Sequence, residues 1–255
     1  MAGPAYLSTN GLTTSTALSS STENALFPRD NIKDLVAGNP FKWTESAGGI
    51  HFEVDFGAAR SNDTLAIINH NFPTGTTFLL KADDTTPPTT VRATPIWKEF
   101  NIWSGFTAAS FRYWRLEVTL GAGAPIAEIG ELYLGTRVDL TSRRSFGFDT
   151  GIIHRKVARE TGRGCKHHFS LYDREFFSVL FRKIRDPMIA ELDALERAVN
   201  GARVPFIWIP DTVLTEAFMV RKMGDHRELT VATNEWDVDL ELEEESPAKV
   251  KSSNV

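Results

Sequence analysis

Short runs of alternating apolar and polar residues dominate residues 24–135 and most constrain the fold of this chain. HFEVDFG (His51–Gly57) places Phe52, Val54 and Phe56 on one face of a strand. Gly, Pro, Asn and Asp bound each run, and no stretch with the period of a helix interrupts them. The other runs of this kind are TLAIINH (Thr64–His70), TFLLKAD (Thr77–Asp83), RYWRLEVTL (Arg112–Leu120) and AEIGELYLG (Ala127–Gly135). Short strands at this spacing predict a β-sandwich.

The second half of the chain combines one helix with further strands. Asp186 is suited to an N-cap, Pro187 to the first helical position and Gly201 to a left-handed end. The apolar stripe of this helix is Met188, Ile189, Leu192, Leu195 and Val199. VPFIWIPD (Val204–Asp211) and EWDVDLELEEE (Glu235–Glu245) predict strands later in the chain. This pattern indicates a small α+β domain, and the whole chain is predicted to be mainly β.

Composition and length are those of a folded protein with room for two domains. The chain has 255 residues, of which 42% are hydrophobic and 24% charged. The predicted organisation is a flexible N-terminal arm over 1–22, a sandwich over 23–138, an α+β domain over 139–246 and a disordered tail over 247–255. No apolar run is long enough for a membrane span, and the N-terminus lacks the pattern of a secretory signal.

Charge is divided between two separate segments of the second half. Residues 141–185 hold eleven Lys/Arg against four Asp/Glu, whereas Glu235–Glu245 holds seven acids and no base. One interpretation is that both segments are solvated faces. The other is complementary charge between copies in a head-to-tail ring. The candidate interface residues are Arg143, Arg144, Arg155, Asp237, Asp239 and Glu241.

The motifs of the first half occur in the order found in a known module. They are Asp34, Gly38, Asn39 and Trp43, then Asp55–Gly57, Arg112–Val118 and Glu131-Leu132. On these motifs the first half resembles a galactose-binding, discoidin-type jelly roll. The resemblance implies a structural Ca²⁺ held by Asp34 and Glu131, for which carboxylates are suitable ligands. The alternative is that these residues only cap the loop. No other cofactor is expected.

Exposed aromatic rings are the residues that would recognise a sugar in such a module. Trp97, Trp103 and Trp43 are the candidates, and KEFNIWSGF (Lys98–Phe106) is an aromatic loop of suitable character. For Trp43 the alternative is a core position. For Trp97 and Trp103 the alternative is an anchor for a protein partner.

The second half also resembles a known domain. An aromatic strand, one helix, the strand Val-Pro-Phe-Ile-Trp and a last strand with Leu-Glu-Glu are similar to the belt domain of distal tail and baseplate-hub proteins of long-tailed bacteriophages. The resemblance implies a homo-hexameric ring in the virion tail tip, made in the bacterial cytoplasm. Its partners would be tube, hub and fibre proteins, and its role would include host attachment. Many distal tail proteins place the belt first, whereas here it comes second.

Catalytic motifs are missing from the sequence. It contains no Gly-x-Ser-x-Gly, P-loop, dinucleotide fingerprint or His-Glu-x-x-His. The single Cys165 excludes a disulfide framework, and with His167 and His168 it lacks a third partner for a metal or nucleophilic site. We therefore expect no enzyme and no specific binding of nucleic acid. The predicted function is a structural part of a phage tail tip, and the alternative is a lectin-like adhesion module with an oligomerisation domain.

Overall fold

The computed structural model describes two compact units that are mainly β, as the sequence predicted. The first unit comprises Met1–Leu140 and Phe206–Met219, and the second Thr141–Pro205 and Val220–Val255. The described residues are 3–44, 49–99, 101–123, 125–140, 146–160, 166–212, 216–224, 227–232 and 235–245. The predicted tail over 247–255 lies outside them.

The first unit is built from ten strands and two short 3₁₀ helices among its described residues. The 3₁₀ helices are Gly11–Thr14 and Arg29–Lys33. The strands are β1 (Ala5–Leu7), β2 (Ala17–Ser20), β3 (Phe41–Lys42), β4 (Gly49–His70), β5 (Thr77–Asp83), β6 (Val91–Ala93), β7 (Ile102–Thr119), β8 (Glu128–Gly135), β9 (Val138–Asp139) and β12 (Phe206–Ile209).

One long antiparallel pair, β4 with β7, runs through both layers of the sandwich. The first part of β4 pairs with β2 and with the end of β7, which also pairs with β5. The second part of β4 pairs with β8 and with the start of β7. The register of β4 against β7 shifts between Asp55 and Arg60 and again between Asn62 and Thr64. Such irregularities bend a strand, so one antiparallel pair contributes to two packed layers.

The sandwich core lies between these two layers. It combines Phe52 and Val54 from the first part of β4 with Leu65 and Ile67 from the second. Trp43 and Trp114 are fully buried in the same cluster, and the ring centroids of Phe41 and Trp43 lie 4.5 Å apart. The apolar alternation of the sequence is therefore the inner face of the sandwich.

A second apolar layer covers the outer face of β4 and β8. Ala66 and Ile68 of β4 and Tyr133 of β8 pack in one cluster with Leu7 of β1 and Ile207 of β12. β1 pairs with β12 on one side and with β9 on the other. Ala5–Leu7 is therefore a buried strand and not part of a flexible arm, because its side chains supply this second core. Phe206–Met219 joins the first unit, so the units do not follow the predicted limits of 23–138 and 139–246.

The second unit contains a helix and antiparallel strands. These are β10 (Phe146–Glu160), β11 (Lys166–Ile184), α1 (Asp186–Val199), β14 (Arg227–Ala232) and β15 (Glu235–Glu244), and β13 (Phe218–Lys222) enters it from the first unit. β11 pairs with β10 on one side and with β15 on the other.

The N-cap of helix α1 lies one residue before the predicted N-cap, Asp186. Arg185 is the N-cap without a side-chain capping bond, so Asp186 lies in the first turn, and Pro187 keeps its place at the start. Asn200 adopts the left-handed conformation at the end with φ 50°, and Gly201 follows with φ 68°. Met188, Leu192, Leu195 and Val199 of the predicted apolar stripe are buried, whereas Ile189 is only partly buried.

The second core gives a stability test. Leu7→Ala removes a fully buried side chain, and we expect it to lower the free energy of unfolding by about 2–4 kcal/mol. Leu26→Ala is the control, because Leu26 is 83% exposed and its truncation is expected to change stability little. Urea denaturation of both variants is the measurement. Equal stability of the two variants would contradict a packed β1.

Candidate functional site

Asp34 and Glu131 meet at a tight loop of the first unit. Asp34 ends the 3₁₀ helix Arg29–Lys33, and Leu35 then adopts the left-handed conformation with φ 64°. The Val36 N–H donates to Oδ1 of Asp34 and to Oε1 of Glu131, both at 2.8 Å. Asn39 Nδ2 donates to Oδ2 of Asp34 at 2.7 Å. The fold thus brings the Asp34 loop against the Glu131 carboxyl group, with Val36 and Glu131 95 residues apart in sequence.

Glu131 has an unusual environment for a carboxyl group. It is fully buried on β8, and its Oε2 has no hydrogen-bond partner among the described residues. Burial first, and then the hydrogen bond with the neighbouring Asp34 carboxyl, raise the pKa of Glu131 to about 9. Within the described part of the chain, no Lys or Arg forms an ion pair with either carboxyl group. Two carboxyl groups so placed need a proton or a cation between them.

The residues of this loop fit a hard cation. The two carboxyl groups supply oxygen donors, and Oε2 of Glu131 is buried without a geometric hydrogen-bond partner among the described residues. The Asn39 amide presents its nitrogen to Asp34, and its Oδ1 accepts from Asn31. No group of three or more His, Cys, Asp or Glu side chains suited to a metal occurs in the described residues, so backbone or amide oxygens would complete the shell. The hydrogen bonds of Asp34 to Val36 and Asn39 are also those of a loop cap. Calcium binding at Asp34 and Glu131 therefore stays a prediction.

Trp97 is held at one end of the sandwich. Its indole Nε1 donates to the Phe72 carbonyl at 3.0 Å, and the ring packs partly buried against the sandwich core. Its neighbour Ile96 is 69% exposed. This arrangement leaves an aromatic ring in a fixed orientation with an exposed aliphatic side chain beside it.

Asparagine side chains join the loops around Trp97. Asn71 accepts from the Glu128 N–H at 2.9 Å and donates to the Ile126 carbonyl at 2.8 Å. Asn69 is left-handed with φ 54°; its N–H donates to Asn101 Oδ1, and its Nδ2 donates to the Ala37 carbonyl. We call residues 69–72, 94–99 and 125–127 the loop end. The sequence feature that could have indicated these hydrogen bonds is Asn-His-Asn at residues 69–71, since Asn favours left-handed turns.

The other two tryptophan candidates occupy different positions. Trp43 is fully buried in the sandwich core, so it presents no ring face to a sugar. Trp103 is partly buried against the second core, and the Arg137 guanidinium lies 5.9 Å from its ring centroid. Of the three predicted residues, Trp97 is the one at the loop end.

The structure describes part of the predicted interface in the second unit. Arg143, Arg144 and Cys165 lie outside the described residues. Arg155 pairs with Tyr172 in the register of β10 against β11, and His167 and His168 pair with Arg159 and Ala158. On β15, Asp237 accepts a bond from the Lys183 N–H, whereas Asp239 and Glu241 are exposed.

Buried charged groups near the end of β15 were not expected from the sequence. Glu243 is buried and paired with Arg174 at 2.9 Å, and Lys222 is buried and paired with Glu196. Burial raises the pKa of Glu244 to about 7. The alternation of acids in the sequence does not indicate which of these carboxyl groups are buried and which are exposed.

No helix in the described part of the chain is long and apolar enough to cross a membrane. No family model matches the chain. No curated protein matches it either.

Solved structures share part of the fold. Chitosan-binding module 1 of a Paenibacillus sp. IK-5 chitosanase/glucanase is 16% identical with a TM-score of 0.43, covering 49% of this chain and 98% of the module. A carbohydrate-binding module from Clostridium perfringens, in complex with GalNAc-β-1,3-galactose, is 11% identical with a TM-score of 0.42, covering 47% and 94%. A Ruminococcus gnavus fucosidase is 11% identical with a TM-score of 0.45, covering 52% of this chain and 28% of the enzyme. At these values the function must be argued from the residues of this chain.

Calcium binding is tested by thermal unfolding. If Ca²⁺ binds at Glu131, saturating Ca²⁺ raises the melting temperature of the wild type, with about 2.7 kcal/mol of stabilisation at a hundredfold excess over Kd. Glu131→Gln is expected to abolish this increase because it removes the anionic ligand. Glu128→Gln, on the same strand, is the control and keeps the increase. A wild type that does not respond to millimolar Ca²⁺ would leave loop capping as the role of Asp34.

Glu244 predicts a pH dependence of stability. Its folded pKa of about 7 lies above the ordinary value of 4.5, so its contribution to stability is present below pH 4.5 and is lost as pH rises through 7. Glu244→Gln should therefore gain about 1–3 kcal/mol relative to the wild type between pH 5 and pH 8. Urea denaturation at both pH values is the measurement. The exposed Glu241→Gln is the control, and equal pH profiles for Glu244→Gln and the wild type would refute the assignment.

Proposed function

We propose that this protein is a glycan-binding adhesion module whose first unit binds sugar and whose second unit joins copies of the chain. The observation that carries the proposal is the fixed, partly exposed Trp97 ring at the loop end. Sugars are recognised by stacking a pyranose face on an aromatic ring, with polar groups around it. Lys98 and Glu99 follow Trp97 directly and can supply such groups.

The hydrogen bonds between the loops support the same proposal. Asn69, Asn71 and Phe72 tie three loops to one strand end through side-chain and main-chain bonds. A site held in its binding conformation loses less conformational entropy when a ligand binds. The loop end is therefore suited to a ligand that offers few contacts, such as a mono- or disaccharide.

A second candidate function is the structural part of a bacteriophage tail tip that the sequence resemblance implies. Separate basic and acidic segments in the second unit favour it, because a head-to-tail ring joins two different surfaces. In this case the ring would lie in the virion tail between tube and fibre proteins, and the jelly roll would be an adaptor for a fibre. This candidate needs self-association but no affinity for sugar.

Glycan binding is tested by a glycan array followed by titration calorimetry on the best ligand. We expect Trp97→Ala to weaken the affinity about tenfold or more, since stacking is lost. Trp103→Ala is the matched control and should retain the affinity of the wild type. The absence of any glycan affinity in the wild type would refute the glycan proposal and leave the tail-tip candidate.

A further inference from the structure

Two Asn-Gly pairs occur in the sequence, and the fold places them in different environments. They are Asn10-Gly11 and Asn200-Gly201. In such a pair the backbone nitrogen of the second residue can reach the side-chain amide carbon of the Asn, because Gly has no side chain to obstruct the approach. Both pairs therefore have the same intrinsic reactivity, and the surrounding structure determines which of them can react.

Asn10 is fixed at both polar atoms of its side-chain amide. Its Oδ1 accepts from the Leu12 N–H at 3.1 Å, and its Nδ2 donates to the Leu132 carbonyl at 2.8 Å. The residue is only 3% exposed. A buried amide held by two hydrogen bonds cannot turn towards the Gly11 nitrogen while the first unit stays folded.

Asn200 lies at the exposed C-terminal end of α1. It is the C-cap, left-handed with φ 50° and ψ 55°, and its backbone N–H donates to the Arg197 carbonyl. Within the described part of the chain, no hydrogen bond holds its side chain. Asn adopts the left-handed conformation more readily than most residues, so the cap does not depend on such a bond. The Asn200 side-chain amide can therefore rotate in the folded protein.

One long backbone hydrogen bond holds the nitrogen that would react. The Gly201 N–H donates to the Glu196 carbonyl at 3.3 Å, slightly beyond the usual range for such bonds. Gly201 is also left-handed, with φ 68°, so two consecutive residues of positive φ end the helix. Helix ends open more readily than helix centres, and this opening releases the Gly201 nitrogen.

We propose that Asn200 is a site of spontaneous deamidation in the folded protein. The Gly201 nitrogen bonds to the Asn200 side-chain carbon, and the side-chain nitrogen takes up the proton of Gly201 and leaves as ammonia. One water molecule then opens the resulting five-membered succinimide, adding hydroxyl to one carbonyl carbon and hydrogen to the nitrogen. Opening at the side-chain carbonyl gives aspartate, and opening at the backbone carbonyl gives isoaspartate. This inference is independent of glycan binding and of self-association.

The product adds a negative charge beside a carboxylate that the second unit already holds. A Cβ added at Gly201 would lie 3.9 Å from Oε1 of Glu196. Glu196 is paired with the buried Lys222 of β13. The C-terminal end of a helix carries partial negative charge, so a second carboxylate there is unfavourable. We therefore expect deamidation to weaken the end of α1.

Peptide mass spectrometry of the folded wild type at mildly alkaline pH measures the reaction. Incubation in water labelled with ¹⁸O marks each product, because the added oxygen comes from the solvent. We expect Asn200 to convert at least about tenfold faster than Asn10, since a helix end opens more often than a buried cap unfolds. The chain unfolded in urea is the control, in which both Asn-Gly pairs should convert at similar rates.

Three variants separate the reaction from its effect. Asn200→Gly keeps a residue suited to the left-handed cap and should give no product at position 200. Asn200→Asp carries the charge of the aspartate product, and its melting temperature should lie about 1–4 °C below that of freshly purified wild type. Thr94→Asp adds the same charge at an exposed position of the first unit and should melt as the wild type does.

The outcomes distinguish the modification from its consequence. Equal rates at Asn200 and Asn10 in the folded chain would overturn the proposal. So would the absence of product at Asn200 in folded chain when the unfolded chain yields it. An Asn200→Asp variant with the melting temperature of the wild type would overturn the expected effect on α1.

Discussion

The first unit depends on the burial of β4 and β8 on both faces. Thr64–Ile68 is buried at every residue, with Leu65 and Ile67 in the sandwich core and Ala66 and Ile68 in the second core. A strand in this position needs apolar partners on two sides. The inner side is closed by the bent β4–β7 pair, and the outer side by Leu7 and Ile207 from distant parts of the chain. The hydrophobic effect on these two faces therefore brings Leu7 and Ile207 together with the middle of β4.

Polar side chains in this unit hold its loops in place by hydrogen bonds. Glu131 is a buried carboxyl group among apolar residues of β8, and the loop that carries Asp34 and Val36 is hydrogen-bonded to it. The Asn69 and Asn71 side chains fasten other loops in the same manner. Because a buried polar group without a partner is costly, each of these bonds keeps a loop in one place. The candidate sugar platform at Trp97 and the candidate cation site at Glu131 both depend on such bonds.

Sequence-based predictions agree with the structure where the interactions are between residues close together in the chain. The alternation in HFEVDFG and RYWRLEV and the position of helix α1 are local features, and each appears in the structure as expected. The turn residues between the first two runs do not end a strand, because β4 is continuous over Gly49–His70. The unbroken apolar character of Leu65–Ile68 was a usable signal of burial on both faces, since a half-buried strand alternates. The role of the N-terminal residues had no such signal, because AYL is too short to distinguish a buried strand from an extended arm.

The sequence by itself determined the mainly β class, the position of the helix and the separation of basic and acidic segments, since each depends on neighbouring residues in the chain. Only the tertiary structure decided that Phe206–Met219 joins the first unit, that Trp43 is buried while Trp97 remains partly exposed, and that Asp34 meets Glu131. These features arise from contacts between residues far apart in sequence. A local pattern specifies which face of a strand is apolar, but the packing of the whole domain selects the partner that covers it.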